Sequence, residues 1–121
     1  MFCLLRNDFL RLYPGESGIT LHFNLMNLST TTIPEILIIE PQIFADQRGY
    51  FLETFQDERY AALGISQPFV QDNYSGSRRG VLRGLHYQIY QPQGKLVSVT
   101  VGEIFDVAVD LRESSETFGD W

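Results

Sequence analysis

Two runs near the end of the chain place their apolar side chains at every second residue, and one glycine separates them. Lys95, Val97, Val99 and Val101 share one face of the first run, and Phe105, Val107, Val109 and Leu111 share a face of the second, with Gly102 between them. A period of two belongs to half-buried strands, and a lone glycine between two such runs predicts a tight hairpin. The same texture extends upstream. Ile36–Glu40 is a β-branched run bounded by Pro34 and Pro41, and Tyr50–Phe55 follows a turn around Gln47, Arg48 and Gly49. Phe69–Tyr74, Val81–Gln88, Lys95–Val101 and Glu103–Leu111 also read as strands, punctuated by Gly76, Gly80, Gly94 and Gly102. Only Gln56–Leu63 reads as helix, ended by Gly64 at the position after the cap. Many short strands with one short helix predict an all-β sandwich or barrel.

A length of 121 residues fits one domain. With 44% apolar residues, nine Phe and six Tyr, it has the material for an aromatic-rich core. A formal charge of −6 leaves no broad basic surface for nucleic acid or for an anionic membrane. No apolar run reaches the ~18 residues of a membrane span. Cys3 is the only cysteine, so no intrachain disulfide forms, which suits a reducing cytoplasm.

The two ends stand apart from this pattern. Arg6, Asp8 and Arg11 interrupt the apolar start too early for a signal-peptide core. Residues 1–25 are expected to be an extension ahead of a domain that begins at Met26, and dispensable to it; an ordered edge strand is the alternative. His22 lies there and reads as structural or exposed. Thr117–Trp121 looks like the start of another strand, so the chain is expected to be the front part of a larger domain, with open edges that favour association.

Between Asn73 and Gly102 there is no Asp or Glu, in a chain with 15 acidic residues. The same stretch holds Arg78, Arg79, Arg83, His86 and Lys95, the only lysine. An electropositive segment with an imidazole suits an anionic small molecule and proton transfer. Arg78 and Arg79 read as a solvated turn pair.

Gly80, five residues, His86-Tyr87-Gln88, then Lys95, six residues and Gly102 resemble the first motif of the cupin barrels. The metal-binding members carry a second His where Gln88 stands and a Glu where Lys95 stands. An ammonium repels a cation and an amide is a weak ligand, so a metal-free site without a cofactor is expected. A longer series of motifs is more specific: Phe44–Glu53, Phe69–Asn73, Ser77–Gln88, Gln93–Val97 and Phe105–Arg112. Together, across residues 33–121, these resemble the dTDP-4-dehydrorhamnose 3,5-epimerase family of cupin enzymes.

That resemblance implies a cupin or jelly-roll barrel, incomplete in this chain, a homodimer, and a cytoplasmic enzyme of dTDP-rhamnose biosynthesis. The implied reaction is epimerisation at C3 and C5 of dTDP-4-dehydro-6-deoxy-glucose. Removing a proton beside a ketone needs a base, and histidine, with an ordinary pKa of about 6.5, suits that task. By resemblance His86 is the base and Lys95 the electrostatic group that meets the developing enolate. Arg83 is implied to contact the diphosphate through its guanidinium fork. Arg48, Glu53, Gln71 and Asn73 match the family's other substrate contacts, Arg48 across a dimer interface. Strand alternation would set Arg83 and His86 on opposite faces, so a bulge is expected at Gly84. Asp106 is a candidate buried partner for Lys95 or His86, with a plain structural acid as the alternative; Asp72 and Asp110 read as structural. The family's proton-donating tyrosine and histidine-orienting aspartate have no counterpart here, so the 121 residues alone are expected to be inactive. The other readings are a non-catalytic cupin that binds a nucleotide sugar, and a related keto-sugar isomerase.

Overall fold

The computed structural model describes residues 2–5, 20–23 and 26–121. It is mostly strand, with one short helix and no closed barrel among the described residues. The chain divides into two compact units, the first comprising residues 1–54 and 94–121 and the second Phe55–Gln93.

The first unit is built on a five-stranded sheet. Its members are β1 (Phe2–Leu5), β2 (Thr20–Phe23), β3 (Met26–Thr30), β4 (Ile36–Pro41) and β7 (Lys95–Ser98). The order across the sheet is β2-β3-β4-β1-β7. β3 lies antiparallel to β2 and β4, whereas β1 lies parallel to both β4 and β7. Met26 and Leu28 are buried two residues apart along β3, as a period of two requires. Ile38 and Ile39 are consecutive and both buried, Ile39 completely, so β4 is covered on both faces. The turn between β3 and β4 is fixed by Thr31, whose Oγ1 accepts from the amide of Ile33 at 3.2 Å and donates to its carbonyl at 2.9 Å.

A separate hairpin joins β5 (Ile43–Asp46) to β6 (Gly49–Leu52), in the register Asp46 opposite Gly49. Asp46 Oδ1 accepts from the Arg48 amide at 2.8 Å, the short-range bond by which an aspartate closes its own turn. Gly49 has φ +134°, a conformation closed to side-chain-bearing residues.

The second unit begins with α1 (Asp57–Ala62). Gln56 caps its start, Oε1 accepting from the Arg59 amide at 2.7 Å, and Asp57 and Glu58 sit in the first turn where the helix dipole favours them. Gly64, at φ +86°, lets the chain leave the helix. Six residues are too few for a self-standing helix. Packing holds it: Tyr60, Leu63 and Ile65 are buried, and Phe55 sets its ring edge against Tyr60 at 4.8 Å and Phe69 at 5.4 Å.

Several expected strands are corrected here. Phe69–Tyr74, Val81–Gln88 and Glu103–Leu111 are not strands, and Lys95–Val101 is one only over Lys95–Ser98. Alternation prescribes an extended chain with two faces, but a strand also needs a ladder partner, and these segments have none among the described residues. Gly102 has φ +89° and bends the chain without closing a hairpin. No ladder runs through Gly84, so the expected bulge is replaced by a kink at φ +117°. Thr117–Trp121 is a turn that folds back, with the Gly119 amide donating to the Asp110 carbonyl at 2.8 Å and the Asp110 amide to the Asp120 carbonyl at 3.0 Å. Tyr50–Phe55 shortens to β6, and β5 was not foreseen. The region before residue 26 contributes β1 and β2; His22 lies in β2, opposite Asn27. Among the described residues no helix is long and apolar enough to cross a membrane.

Candidate functional site

The candidate residues fall equally in the two units. Arg48, Glu53, Lys95 and Asp106 belong to the first; Gln71, Asn73, Arg83 and His86 belong to the second.

In the first unit Lys95 opens β7, and its backbone position is set by pairing opposite Phe2. Arg48 sits in the two-residue turn of the β5–β6 hairpin. Its Nε and Nη2 donate to Asp46 Oδ2 at 3.0 and 2.6 Å, while its side chain stays 90% exposed. The Arg48 guanidinium holds the Asp46 carboxyl below the usual carboxylate range, and Asp46 raises Arg48 in turn. The guanidinium is therefore presented to solvent on a braced turn. Glu53 follows β6 and is half-buried. Asp106 lies on the exposed segment before Asp110. Burial of its carboxyl raises its pKa, and a bond from the Val107 amide partly offsets this.

In the second unit the residues lie on an exposed, extended chain. Gln71 Nε2 donates to Asn73 Oδ1 at 3.1 Å, so these two amides are already paired. Arg83 donates from Nε to Ser77 Oγ at 2.8 Å and from Nη2 to the Gly76 carbonyl at 3.1 Å. This cross-bracing folds 76–83 into a loop around the guanidinium. His86 follows the kink at Gly84 and is exposed. Gln88 Oε1 accepts from the Gln93 amide at 3.1 Å and closes the loop that leads towards Lys95. Arg78 and Arg79 are exposed, at the turn where the Val81 amide donates to the Arg78 carbonyl. Among the described residues no three His, Cys, Asp or Glu side chains gather where a metal ion would need them.

The densest polar cluster surrounds Asp110, for which a structural role is expected. Asp110 is buried, and both of its carboxylate oxygens accept hydrogen bonds. Oδ1 accepts from the Arg112 amide at 3.0 Å and from Arg112 Nε at 2.9 Å; Oδ2 accepts from Arg112 Nη2 at 2.8 Å and Thr117 Oγ1 at 2.7 Å. Arg112 also grips Glu35 through both terminal nitrogens, Nη2 to Oε2 at 2.8 Å. Ser115 Oγ lies 3.3 Å from Arg112 Nη2 and 3.0 Å from Thr117 Oγ1. Hydrogen bonds from Arg112, then Ser115, drive the Asp110 carboxyl far below the usual range, while Asp110 and Glu35 push Arg112 up. The spacing Asp-x-Arg with Ser115 and Thr117 downstream is a short-range signal for the turn. Glu35, 77 residues away, carries no such signal.

Comparison with known proteins places these features in a family. The family pattern for dTDP-4-dehydrorhamnose 3,5-epimerase matches residues 30–121. The dTDP-4-dehydrorhamnose 3,5-epimerase of Pseudomonas aeruginosa is 55% identical over 97 residues, covering 79% of this chain and 54% of the relative. That of Shigella flexneri is 57% identical over 99 residues, covering 79% and 54%. That of Methanothermobacter thermautotrophicus is 57% identical over 91 residues, covering 75% and 49%. The chain thus spans about half the length of these curated relatives. Every candidate residue from Arg48 to Asp106 lies inside the matched region, and the chain belongs to the dTDP-4-dehydrorhamnose 3,5-epimerase family.

Proposed function

We propose that this chain supplies the base-bearing part of an isomerase that epimerises C3 and C5 of dTDP-4-dehydro-6-deoxy-glucose in dTDP-rhamnose biosynthesis. The observation that carries the reading is the acid-free stretch from Asn73 to Gly102, which holds His86, Arg83 and Lys95 within the family-matched residues. His86 takes the proton from the carbon beside the ketone, forming an enolate. Lys95 supplies positive charge where the enolate oxygen develops, a placement that is worth most in a dry site. Arg83 meets the diphosphate, and Arg48, Glu53, Gln71 and Asn73 hold the rest of the nucleotide sugar. The exposed guanidinium of Arg48, steered by Asp46, suits an anionic group arriving from outside its own unit. Asp106 serves as a carboxylate partner for Lys95 or His86.

Residues 26–121 form, in this reading, the N-terminal portion of a cupin-type jelly roll, with 1–25 outside the family-like region. The working form is a homodimer without metal or cofactor. The single cysteine supports a cytoplasmic setting.

The test is uptake of solvent deuterium at the sugar carbons flanking the ketone, followed by NMR. It is run on the 121-residue chain and on a chimaera in which residues 30–121 replace the matching half of the Pseudomonas relative. Exchange in the chimaera is the expected result. Nucleotide-sugar binding with no exchange would favour a non-catalytic binding cupin, and exchange at one carbon alone a related keto-sugar isomerase.

A further inference from the structure

The first unit is discontinuous in sequence, and one short strand joins its parts. β4 and β7 do not pair with each other: β1 lies between them, with Cys3 opposite Leu37 on one side and opposite Leu96 on the other. β1 is also the only ladder partner of β7 among the described residues. Its residues, Phe2–Leu5, lie ahead of the family-matched region, which begins at residue 30. A segment foreign to the family pattern thus occupies an interior position in the sheet, between β4 and β7, which belong to that pattern.

We infer that Phe2–Leu5 acts as an inserted donor strand, filling a strand-accepting slot between β4 and β7 and holding β7 in the sheet. The physical need is plain. Without an occupant, β4 presents one unpaired edge and β7 loses its ladder, leaving backbone donors and acceptors unmet. The occupant must be extended, apolar and parallel to both neighbours. Phe-Cys-Leu-Leu, free of charge, proline and glycine, meets that description. The Arg112–Glu35 ion pair also ties residues 94–121 to the earlier part of the unit. That pair is half exposed, and exposed ion pairs contribute little. The strand supplies the backbone ladder of β7. Because Lys95 pairs opposite Phe2, the insertion also sets where that lysine begins β7.

The unique cysteine makes this testable in the full chain. Neighbouring strands run ~4.8 Å apart, within the ~4.4–6.8 Å between Cα atoms that a disulfide spans. Leu96→Cys and, separately, Leu37→Cys are oxidised with diamide and mapped by non-reducing mass spectrometry. An intramolecular disulfide to Cys3 is expected in both, and none in the off-register control Glu103→Cys. Failure of both on-register variants, or cross-links only between two chains, overturns the inference. A second readout needs no cross-link: Leu4→Pro should remove hydrogen-exchange protection from residues 95–98 while that of β3 and the β3-facing amides of β4 persists. Unchanged protection at 95–98 would equally overturn it.

Discussion

Met26–Pro41 and Val81–Gln88 have similar side-chain chemistry and opposite fates. In the first, β3 and β4 pair residue for residue from Met26 opposite Pro41 to Thr30 opposite Leu37, and Leu28, Ile38 and Ile39 are buried. In the second, Leu82, Leu85 and Tyr87 are 89%, 73% and 71% exposed, although the chain is as apolar and extended. The difference lies in what each segment meets. A strand gains stability only when its amides find a ladder and its apolar face finds another layer. Met26–Pro41 finds both within a few residues of itself, through the Thr31 turn. Val81–Gln88 finds neither, and there the polar side chains do the organising: Arg83 braced to Ser77 and Gly76, Gln88 to Gln93. One region is a scaffold, and the other presents side chains.

The largest test asks whether the presenting region carries chemistry. His86→Ala in the chimaera should lower deuterium exchange by about 10²–10⁴-fold, the usual cost of losing a positioned base. Nucleotide-sugar affinity should change little. Exchange at the parent rate would remove His86 from the mechanism and leave the exposed segment as a binding surface.

The second test sets the regions side by side. Ile39→Ala should cost roughly 2–5 kcal/mol, since a fully buried side chain leaves a cavity that its neighbours fill only partly. Leu82→Ala should stay within about 0.5 kcal/mol, because an exposed side chain loses almost no packing. Denaturant melts of the two variants read this directly. Equal losses would mean that Val81–Gln88 is covered in solution and that the contrast is false.

The same contrast explains what could be read beforehand. The helix was legible because its signals are local: Gln56 at the cap, acids in the first turn, Gly64 after the end. Ile36–Glu40 was legible because its run is β-branched, and the strand observed there extends it by one residue to Pro41. Phe69–Tyr74, Val81–Gln88 and Glu103–Leu111 misled because periodicity reports a conformation and says nothing of a partner. The insertion of Phe2–Leu5 between β4 and β7 is a long-range pairing that no spacing encodes. Of the site, the residue types at His86, Lys95 and Arg83 were legible from the missing acids around them. The braces on Arg83 and Arg48 were not, since each depends on how a turn folds.

Asp110 sharpens the comparison from the scaffold side. Its folded pKa is lowered, chiefly by Arg112, so its charge stabilises the fold above the ordinary aspartate value of ~3.9. That contribution is lost as pH falls below that value towards the folded one, because protonation then favours the unfolded chain. Melting temperature should accordingly drop between about pH 4 and pH 2. Asp110→Asn should melt lower at pH 7 and flatten the acid limb, since an amide keeps a hydrogen bond and loses the charge. An unchanged limb in that variant would assign the acid sensitivity to other carboxylates. Titrating Glu35→Gln alongside separates the partly exposed end of the cluster, where a weaker effect is expected.

The smallest expected effect is none. Chelation with excess EDTA should leave exchange in the chimaera unchanged, and the purified chain should hold no stoichiometric divalent metal. Donor chemistry around His86 is the reason. A divalent ion needs anionic or imidazole donors converging within about 2.0–2.6 Å. His86 is one such donor. Gln88 offers a neutral amide oxygen already accepting from the Gln93 amide, and the sequence around it, Asn73 to Gly102, holds no carboxylate. Metal bound by the parent chain at one equivalent, or exchange abolished by EDTA and restored by one divalent ion, would overturn the metal-free reading. It would also make the braced loop a ligand-bearing one.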